Sequence, residues 1–190
     1  MRTICVVTAT RAEYGLLRPV VQKLAASSTL QLQLVATGAH LCPRLGETVR
    51  EIEADGVPIA ARLPIFVGDE NEPVAVTIAR IITVFDAYFS AHHPDAVLLL
   101  GDRFEIFAAA TAAAARHIPI AHISGGDVTL GAADEYYRHC ITKMATVHFP
   151  SCADSAARLV RMGEAPETVF CVGGLGDENI RTLPKMSREE

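Results

Sequence analysis

Residues 96–103 read AVLLLGDR, and residues 118–127 read IPIAHISGGD. Each segment is an apolar run that ends in a glycine turn carrying an acidic residue. Short apolar runs of this kind are typical of strands buried on both faces of a parallel sheet. Because the carboxyl ends of parallel strands meet at one edge, the two turns are predicted to present Asp102 and Asp127 side by side.

The same alternation of strand and helix continues along the whole chain. Strands are predicted at residues 3–8, 30–37, 58–66, 96–100, 118–123, 146–149 and 168–172. Helices are predicted after the first strand and at residues 47–54, 72–90, 104–116, 132–144 and 152–162. Strict alternation predicts an α/β fold, a Rossmann-like doubly wound parallel sheet with right-handed crossovers. The glycine-rich segment 173–180, GGLGDENI, is predicted to form a turn.

The end of the chain differs from the rest in composition. Residues 1–180 are predicted to form one domain, and the polar residues 181–190 resemble a truncated interdomain linker or tail. A chain that ends where a second unit could begin suggests the N-terminal half of a two-domain protein. A frayed terminus is the alternative interpretation.

Composition excludes several classes of protein. The net charge of −5 provides no basic surface for nucleic acid, although it leaves room for a single nucleotide ligand. The 5 cysteines show no C-x-x-C spacing, which favours reduced thiols and a cytoplasmic location. The N-terminus lacks the apolar core of a signal peptide, and no run approaches the roughly 20 apolar residues of a membrane span.

Two strand ends carry candidate ligand-binding residues. The turn at residues 8–13, TATRAE, joins the first strand to its helix, where backbone N–H groups and Arg11 could bind an anion. Alternatively, Thr10 caps the helix and Arg11 is solvated. Asp102 and Arg103 follow the fourth strand directly, and a carboxylate beside a guanidinium suits a base or an electrostatic stabiliser. Asp102 as a simple helix cap is the alternative.

Further carboxylates follow the next strand. Asp127 ends the turn SGGD, and Asp134 and Glu135 open the following helix. Such a group could supply one acid and one base if the surroundings separate the pKa values. The alternative is that Asp134 and Glu135 favour the helix dipole and that Asp127 stabilises its turn.

The 7 histidines show no H-x-x-x-H spacing, so no metal site is predicted. His40, in the loop TGAHLCP after the second strand, is the histidine predicted to contact a ligand. His148 lies inside a predicted strand and is interpreted as structural.

Taken in order, the segments TATRAEYGLLRPV, TGAHL, LLLGDRFE, AHISGGDVTLGAADEYYRHCITKMATVHF and VFCVGGLGDENI form a specific set. The chain resembles the hydrolysing UDP-N-acetylglucosamine 2-epimerases of sialic acid and legionaminic acid biosynthesis, along essentially its whole length. It is similar to their N-terminal domain alone. The resemblance implies a GT-B architecture, in which two Rossmann-like domains clamp a UDP-sugar and the missing C-terminal domain supplies much of the UDP site.

The resemblance also implies roles for the candidate residues. It implies that Arg11 and Arg103 hold the diphosphate and that His40 lines the pocket. It places three carboxylates, Asp102, Asp127 and Asp134, towards the sugar as catalytic candidates. Glu13 and Glu135, in the same motifs, are predicted to contact substrate. The family often has Glu in place of Asp127, which makes the role of that residue less secure.

The chemistry implied by the resemblance is elimination of UDP to a 2-acetamidoglycal followed by rehydration, converting UDP-N-acetylglucosamine to UDP and N-acetylmannosamine without a cofactor. UDP-N,N'-diacetylbacillosamine is an alternative substrate, and a non-hydrolysing 2-epimerase is an alternative enzyme. A third hypothesis is a sugar-nucleotide-binding or assembly domain that has no turnover in isolation. Homo-oligomerisation through the apolar helix at residues 74–89 is also considered, although the core could bury that face instead.

Overall fold

The computed structural model describes residues 1–67 and 72–182 and shows one parallel sheet with helices on both faces. Its strands are β1 Arg2–Thr8, β2 Leu30–Thr37, β3 Ile59–Leu63, β4 Ala96–Leu100, β5 Ile120–Ile123 and β6 Val147–Phe149. They lie in the order β3-β2-β1-β4-β5-β6, and every pairing is parallel. The predicted α/β, Rossmann-like class is confirmed. The order reverses between β1 and β4, where open sheets of this kind bind ligands.

Helices alternate with the strands. They are α1 Arg11–Ala25, α2 Val49–Ala54, α3 Val74–His92, α4 Phe104–Ala115, α5 Asp134–Met144, α6 Ala153–Arg161 and α7 Leu175–Thr182. Short 3₁₀ turns occupy Gly38–Leu41, Pro43–Leu45 and Pro166–Thr168. The predictions for β2 and β4 match the observed bounds, and most other predicted elements begin or end within two residues of the observed ones, as expected for frayed ends.

The sheet divides the hydrophobic core into two layers. Successive residues of β1, such as Cys5 and Val6, point to opposite faces, because side chains alternate along a strand. One layer lies beneath α3, α4 and α5, and the other lies beneath α1 and α2. The small alanines of α4 allow close packing between α3, α5 and the sheet. This packing fixes the N-terminus of α4 at the end of β4.

Helix α3 combines unusual length with apolarity. Its 19 residues include an 18-residue stretch with a mean hydropathy of 1.5, which by length and composition would suffice to cross a membrane. The expectation that no segment approaches the length of a membrane span is therefore wrong for this helix. However, Ile81, Phe85 and Phe89 are buried in the core layer against the sheet. Only 28% of the apolar stretch is buried, so one stripe of α3 packs on the sheet, and this inner stripe lies away from any dimer contact. Val74 and Val76 at its start are exposed, and the oligomeric state stays a prediction.

Two predictions near the end of the chain are wrong. Residues 168–172 do not form a strand, because only Val169 makes a β-bridge, to His148. The 3₁₀ turn before it and the exposure of Phe170 and Val172 leave this segment without a buried face. The predicted turn at 173–180 instead leads into α7, which contacts α1.

Helix α7 crosses the predicted domain boundary at residue 180. Residues 183–190, most of the predicted linker, lie outside the described residues. The division into a domain and a linker therefore stays a prediction.

Candidate active site

The carboxyl ends of β1, β4 and β5 bring most of the candidate residues together. The β4 strand ends at Leu100, and Gly101 follows with a φ of +83°, a conformation that favours glycine. This turn places Asp102 at the sheet edge and makes Arg103 the N-cap residue of α4. The neighbouring β1–α1 turn contributes Glu13, and the β5–α5 loop contributes Asp127.

The β1–α1 turn is closed by its own carboxylate. Glu13 Oε2 accepts hydrogen bonds from the backbone N–H groups of Ala9 (2.8 Å) and Thr10 (3.2 Å). The Thr10 hydroxyl accepts from the Glu13 N–H in return, which completes a capping box. The interpretation of Thr10 as a helix cap is confirmed. The N–H groups of Ala9 and Thr10 therefore already have an anionic partner within the chain.

Arg11, the exposed arginine of this turn, lies outside the cluster. Its Nε is 2.8 Å from Glu51 Oε1, and its side chain is 73% exposed. An exposed ion pair of this kind contributes little free energy, so the guanidinium is available for exchange of partners.

Glu13 itself is unusual because its carboxyl group is buried. Burial raises its pKa to about 7, an effect that its bonds to Ala9 and Thr10 and the charge of Arg103 only partly offset. Its Oε1 is buried without a hydrogen-bond partner among the described residues, 3.9 Å from Arg103 Nε. A carboxyl group of this kind can take up or release a proton near neutral pH.

Arg103 is surrounded by carboxylates. Its Nε and Nη2 donate to the two oxygens of Glu105, at 3.2 and 3.0 Å. The charges of Glu105, Glu13 and Asp134 raise its pKa although burial opposes them, so the guanidinium stays charged. The carboxylate of Asp134, at the first position of α5, makes no hydrogen bond or ion pair with residues 1–67 or 72–182, and its interaction with Arg103 is electrostatic.

Asp102 is held by an arginine that the sequence analysis did not single out. Arg138, on α5, donates from Nη2 to Asp102 Oδ2 and is itself buried. Its Nη2 also donates to the Thr129 hydroxyl (2.7 Å), and its Nη1 donates to the Asp127 carbonyl (3.0 Å) and to Glu135 Oε2 (2.8 Å). One guanidinium thus joins the β4 turn, the β5–α5 loop and α5.

Glu135 is committed to this network. Besides Arg138, its Oε2 accepts from the Thr129 N–H (2.7 Å), and its Oε1 contacts His139 Nε2 (3.1 Å). The carboxylate therefore orders the loop before α5, and few of its lone pairs remain for a substrate.

Asp127 faces a different element. Its Oδ1 accepts from the hydroxyls of Ser151 (2.9 Å) and Ser155 (2.6 Å), at the start of α6. The carboxylate thus ties the β5 loop to α6, while the Asp127 carbonyl contacts Arg138. The predicted neighbourhood of Asp102 and Asp127 is correct for the backbone, but the two carboxylates have separate partners.

His122 contacts the backbone of the turn that carries Asp102. It lies in β5, where its Nε2 donates to the Gly101 carbonyl (2.8 Å) and its Nδ1 is 3.3 Å from the Thr142 hydroxyl. Burial lowers its pKa to about 4, so the ring is neutral. A carbonyl can only accept, which places the proton on Nε2 and leaves Nδ1 to accept from Thr142.

His40 is buried between two hydroxyls and is separate from the carboxylate cluster. Its Nε2 is 3.0 Å from the Thr8 hydroxyl, and its Nδ1 is 2.8 Å from that of Thr48. Burial lowers its pKa to about 4. The ring thus ties the end of β1 to the loop after β2. His148 is buried in β6, where its Nε2 lies 3.2 Å from Glu164 Oε2.

The structure therefore gathers Glu13, Asp102, Arg103 and Asp134 at the switch point. Glu105, His122 and Arg138 were not predicted as site residues, although they lie in the segments GDRFE, AHISGGD and DEYYRH. Among residues 1–67 and 72–182, no three His, Cys, Asp or Glu side chains are grouped as metal ligands.

A separate apolar cleft of about 700 Å³ lies over strands β1, β4, β5 and β6, beside α1 and α7. Its lining includes Ile4, Leu24, Leu98, Ile123 and Phe149. None of the predicted site residues lines it, so it is distinct from the charged cluster at the carboxyl edge.

Sequence comparison decides the family. Residues 22–190 match the family described as UDP-N-acetylglucosamine 2-epimerase. The chain belongs to this family. The UDP-N,N'-diacetylbacillosamine 2-epimerase (hydrolyzing) of Legionella pneumophila is 40% identical over 190 residues, which cover 100% of this chain and 50% of that protein. The GDP/UDP-N,N'-diacetylbacillosamine 2-epimerase (hydrolyzing) of Campylobacter jejuni is 36% identical, covering 100% of this chain and 49% of that protein.

Solved structures of the epimerase family share the fold. The Neisseria meningitidis UDP-GlcNAc 2-epimerase bound to UDP-GlcNAc superposes with a TM-score of 0.84 at 23% identity, covering 95% of this chain and 49% of that chain. The Rickettsia bellii UDP-N-acetylglucosamine 2-epimerase gives a TM-score of 0.81 at 24% identity, with 95% and 47% covered. The chain spans about half the length of the relatives it matches, which corresponds to one half of a GT-B-type fold.

Proposed function

We propose that the complete protein is a hydrolysing 2-epimerase of a UDP-2-acetamido sugar. The observation that carries the proposal is the pairing of Asp102 with the buried Arg138 beside the charged Arg103, at the switch point of the sheet. The hydrolysing relatives from Legionella pneumophila and Campylobacter jejuni support the reaction class.

The reaction needs both basic and electrostatic assistance. C2 of the sugar loses a proton while the C1–O bond to UDP breaks, which gives a 2-acetamidoglycal and UDP. Water then adds at C1, and a proton returns to the opposite face of C2. A carboxylate accepts the first proton, and negative charge near the ring stabilises positive charge at C1.

The geometry suits particular residues to these tasks. Asp102, whose Oδ2 accepts from Arg138 at the sheet edge, is proposed to act as base or charge stabiliser. Asp134, whose carboxylate has no hydrogen-bond partner among the described residues, is proposed as the second acid–base group. Asp127 is proposed to shape the β5 loop, because its carboxylate already binds Ser151 and Ser155.

The diphosphate is proposed to bind Arg103 and, after exchange with Glu51, Arg11. A phosphate at this edge would draw on guanidinium groups, since Glu13 already occupies the N–H groups of Ala9 and Thr10. His40 would act only through the backbone loops that it joins.

The identity of the sugar has two candidates. UDP-N-acetylglucosamine is the substrate implied by the family, and a polysialic acid biosynthesis protein of Escherichia coli is 37% identical. UDP-N,N'-diacetylbacillosamine is favoured by the names of the Legionella pneumophila and Campylobacter jejuni relatives. Turnover of both compounds side by side distinguishes them.

The test is turnover of the complete reading frame in heavy water. The proposal expects free UDP and a 2-epimeric sugar carrying deuterium at C2. An unlabelled sugar would rule out elimination and reprotonation, and UDP-N-acetylmannosamine as the sole product would favour the non-hydrolysing alternative. The same assay on residues 1–190 tests whether this half is only a binding domain.

A matched pair of variants localises the chemistry. Asp102→Asn at the carboxyl end of β4 should abolish turnover. Asp95→Asn at the amino end of the same strand, where Asp95 accepts from the Thr3 N–H (2.6 Å), should leave it intact. Equal loss in both variants would contradict the placement of the site.

The cellular location also remains a proposal. All five cysteines, Cys5, Cys42, Cys140, Cys152 and Cys171, are free thiols. Free thiols support a reducing, cytoplasmic compartment.

A further inference from the structure

The first turn of α4 contains a buried carboxylate that the proposed reaction does not use. Glu105 is fully buried, and both of its oxygens bind the same guanidinium, that of Arg103. The pair is bidentate, an arrangement that restricts the position of an arginine as well as stabilising its charge.

The two members of this pair differ in exposure. The Arg103 side chain is 44% exposed, whereas that of Glu105 is 1% exposed. Burying a carboxylate is unfavourable unless it is paired. Within the described part of the chain, Glu105 pairs with Arg103 alone, and the Arg103 side chain is partly exposed to solvent. Glu105 binds Nε and Nη2, and Nη1 makes no hydrogen bond with residues 1–67 or 72–182. One edge of the guanidinium is therefore fixed, and Nη1 is free to donate.

We propose that Glu105 is a positioning residue, which holds the Arg103 guanidinium so that its free donor meets the diphosphate of the ligand. The inference rests on the proposed function, since it takes the diphosphate of a UDP-sugar as the ligand of Arg103. Glu13 lies nearby but makes no hydrogen bond to Arg103, and Asp134 acts on it only through its charge.

A positioning role and a purely electrostatic role of Glu105 predict opposite changes in anion affinity. If Glu105 acts only through its negative charge, removing that charge strengthens the attraction between Arg103 and an anion. If Glu105 fixes the guanidinium, the Glu105→Gln variant loses one of the two charge-assisted bonds, and the anion binds more weakly. The sign of the change in UDP affinity therefore separates the two roles.

The experiment measures UDP binding to the complete protein by isothermal titration calorimetry. Glu105→Gln should raise the Kd of UDP about tenfold. In an Arg103→Ala background the same substitution should have no further effect, because the group that it positions is gone. Glu105→Asp, which keeps the charge but shortens the reach, should also weaken binding, and it replaces Glu105→Gln if that variant does not fold.

A second ion pair on the same helix provides the control. Arg116, at the C-terminal end of α4, donates from Nε (2.5 Å) and Nη2 (2.9 Å) to the two oxygens of Asp86. Asp86→Asn breaks this bidentate pair at the far end of α4 and should leave the Kd unchanged.

The outcomes are distinguishable. Unchanged or tighter binding by Glu105→Gln, or an equal loss in the Arg103→Ala background, overturns the positioning role and leaves the proposed function standing. A wild-type protein that does not bind UDP overturns both.

Discussion

Replacing Glu13 by glutamine should make the protein more stable at alkaline pH and have little effect at acidic pH. The wild-type carboxyl group is buried, and its pKa rises from an ordinary value of 4.5 to about 7 in the folded state. In glutamine, the amide oxygen can keep the bonds to the Ala9 and Thr10 N–H groups. The amide nitrogen then takes the place of Oε1, which has no hydrogen-bond partner among the described residues.

The magnitude follows from proton linkage. Between the two pKa values the folded state binds more protons than the unfolded state, so wild-type stability falls as pH rises from 4.5 towards 7. Above that range the loss is complete and amounts to about 3 kcal/mol, at 1.36 kcal/mol for each tenfold change in the proton equilibrium. The glutamine variant avoids this loss, so its advantage should be about 1 kcal/mol at pH 5 and about 3 kcal/mol at pH 8.

Urea unfolding of both proteins at pH 5 and pH 8 measures this difference. Buried histidines such as His40 and His122 titrate equally in the two proteins, so their contributions cancel. Glu51→Gln, which removes an exposed carboxylate paired with Arg11, serves as the control and should change stability by less than about 1 kcal/mol at either pH. An advantage that is the same at both pH values, or a glutamine variant that is less stable at pH 8, would contradict a buried Glu13 carboxyl group with a raised pKa.

Three further outcomes are expected. Arg138→Leu should destabilise the chain by about 1–3 kcal/mol in urea unfolding, since it leaves several partly buried acceptors without their shared donor. A loss well below about 1 kcal/mol would contradict the network. Gly126→Ala should lower the free energy of unfolding by about 1–3 kcal/mol, because the φ of Gly126 is +80° and the added Cβ would lie 2.5 Å from the Ser155 carbonyl oxygen. By contrast, the Cβ added in Gly15→Ala, in α1, meets no atom within 4 Å, so this variant should raise the free energy of unfolding by about 0.5–1 kcal/mol. The His122 ring should titrate with a midpoint of about 4 by NMR, and a midpoint near 6.5 would show that it is not buried as described.

The sequence predicted the sheet well because its strands are apolar runs bounded by polar or glycine-containing turns. The β4 run is wholly apolar and stops at a glycine with positive φ, so its bounds were visible without a structure. The same logic failed after residue 168, where apolar letters such as Phe170 and Val172 are exposed. Local hydrophobicity does not reveal whether a neighbouring strand is long enough to bury a segment, and β6 has only three residues.

The sequence predicted which turns form the candidate site, but not the contacts of the side chains in them. Asp102 and Arg103 lie at the sheet edge, as the strand pattern indicated. The partners of the side chains were not predictable, because the bond between Asp102 and Arg138 joins positions 36 apart in sequence. The direction of the Asp127 carboxylate depends on α6, and the burial of Glu105 depends on the packing of α4. Both are properties of the assembled fold.

The network of Arg138 has an evolutionary consequence. Three side chains, those of Asp102, Thr129 and Glu135, share one guanidinium, which also binds the Asp127 carbonyl, so a substitution at any of the three changes what the other two bind. Their effects should be epistatic, and a lineage could alter these positions only as a set or through an intermediate that first replaces the arginine. Diversification around this site is therefore expected to concentrate on positions that the guanidinium does not contact, such as the exposed Leu130 and Tyr136.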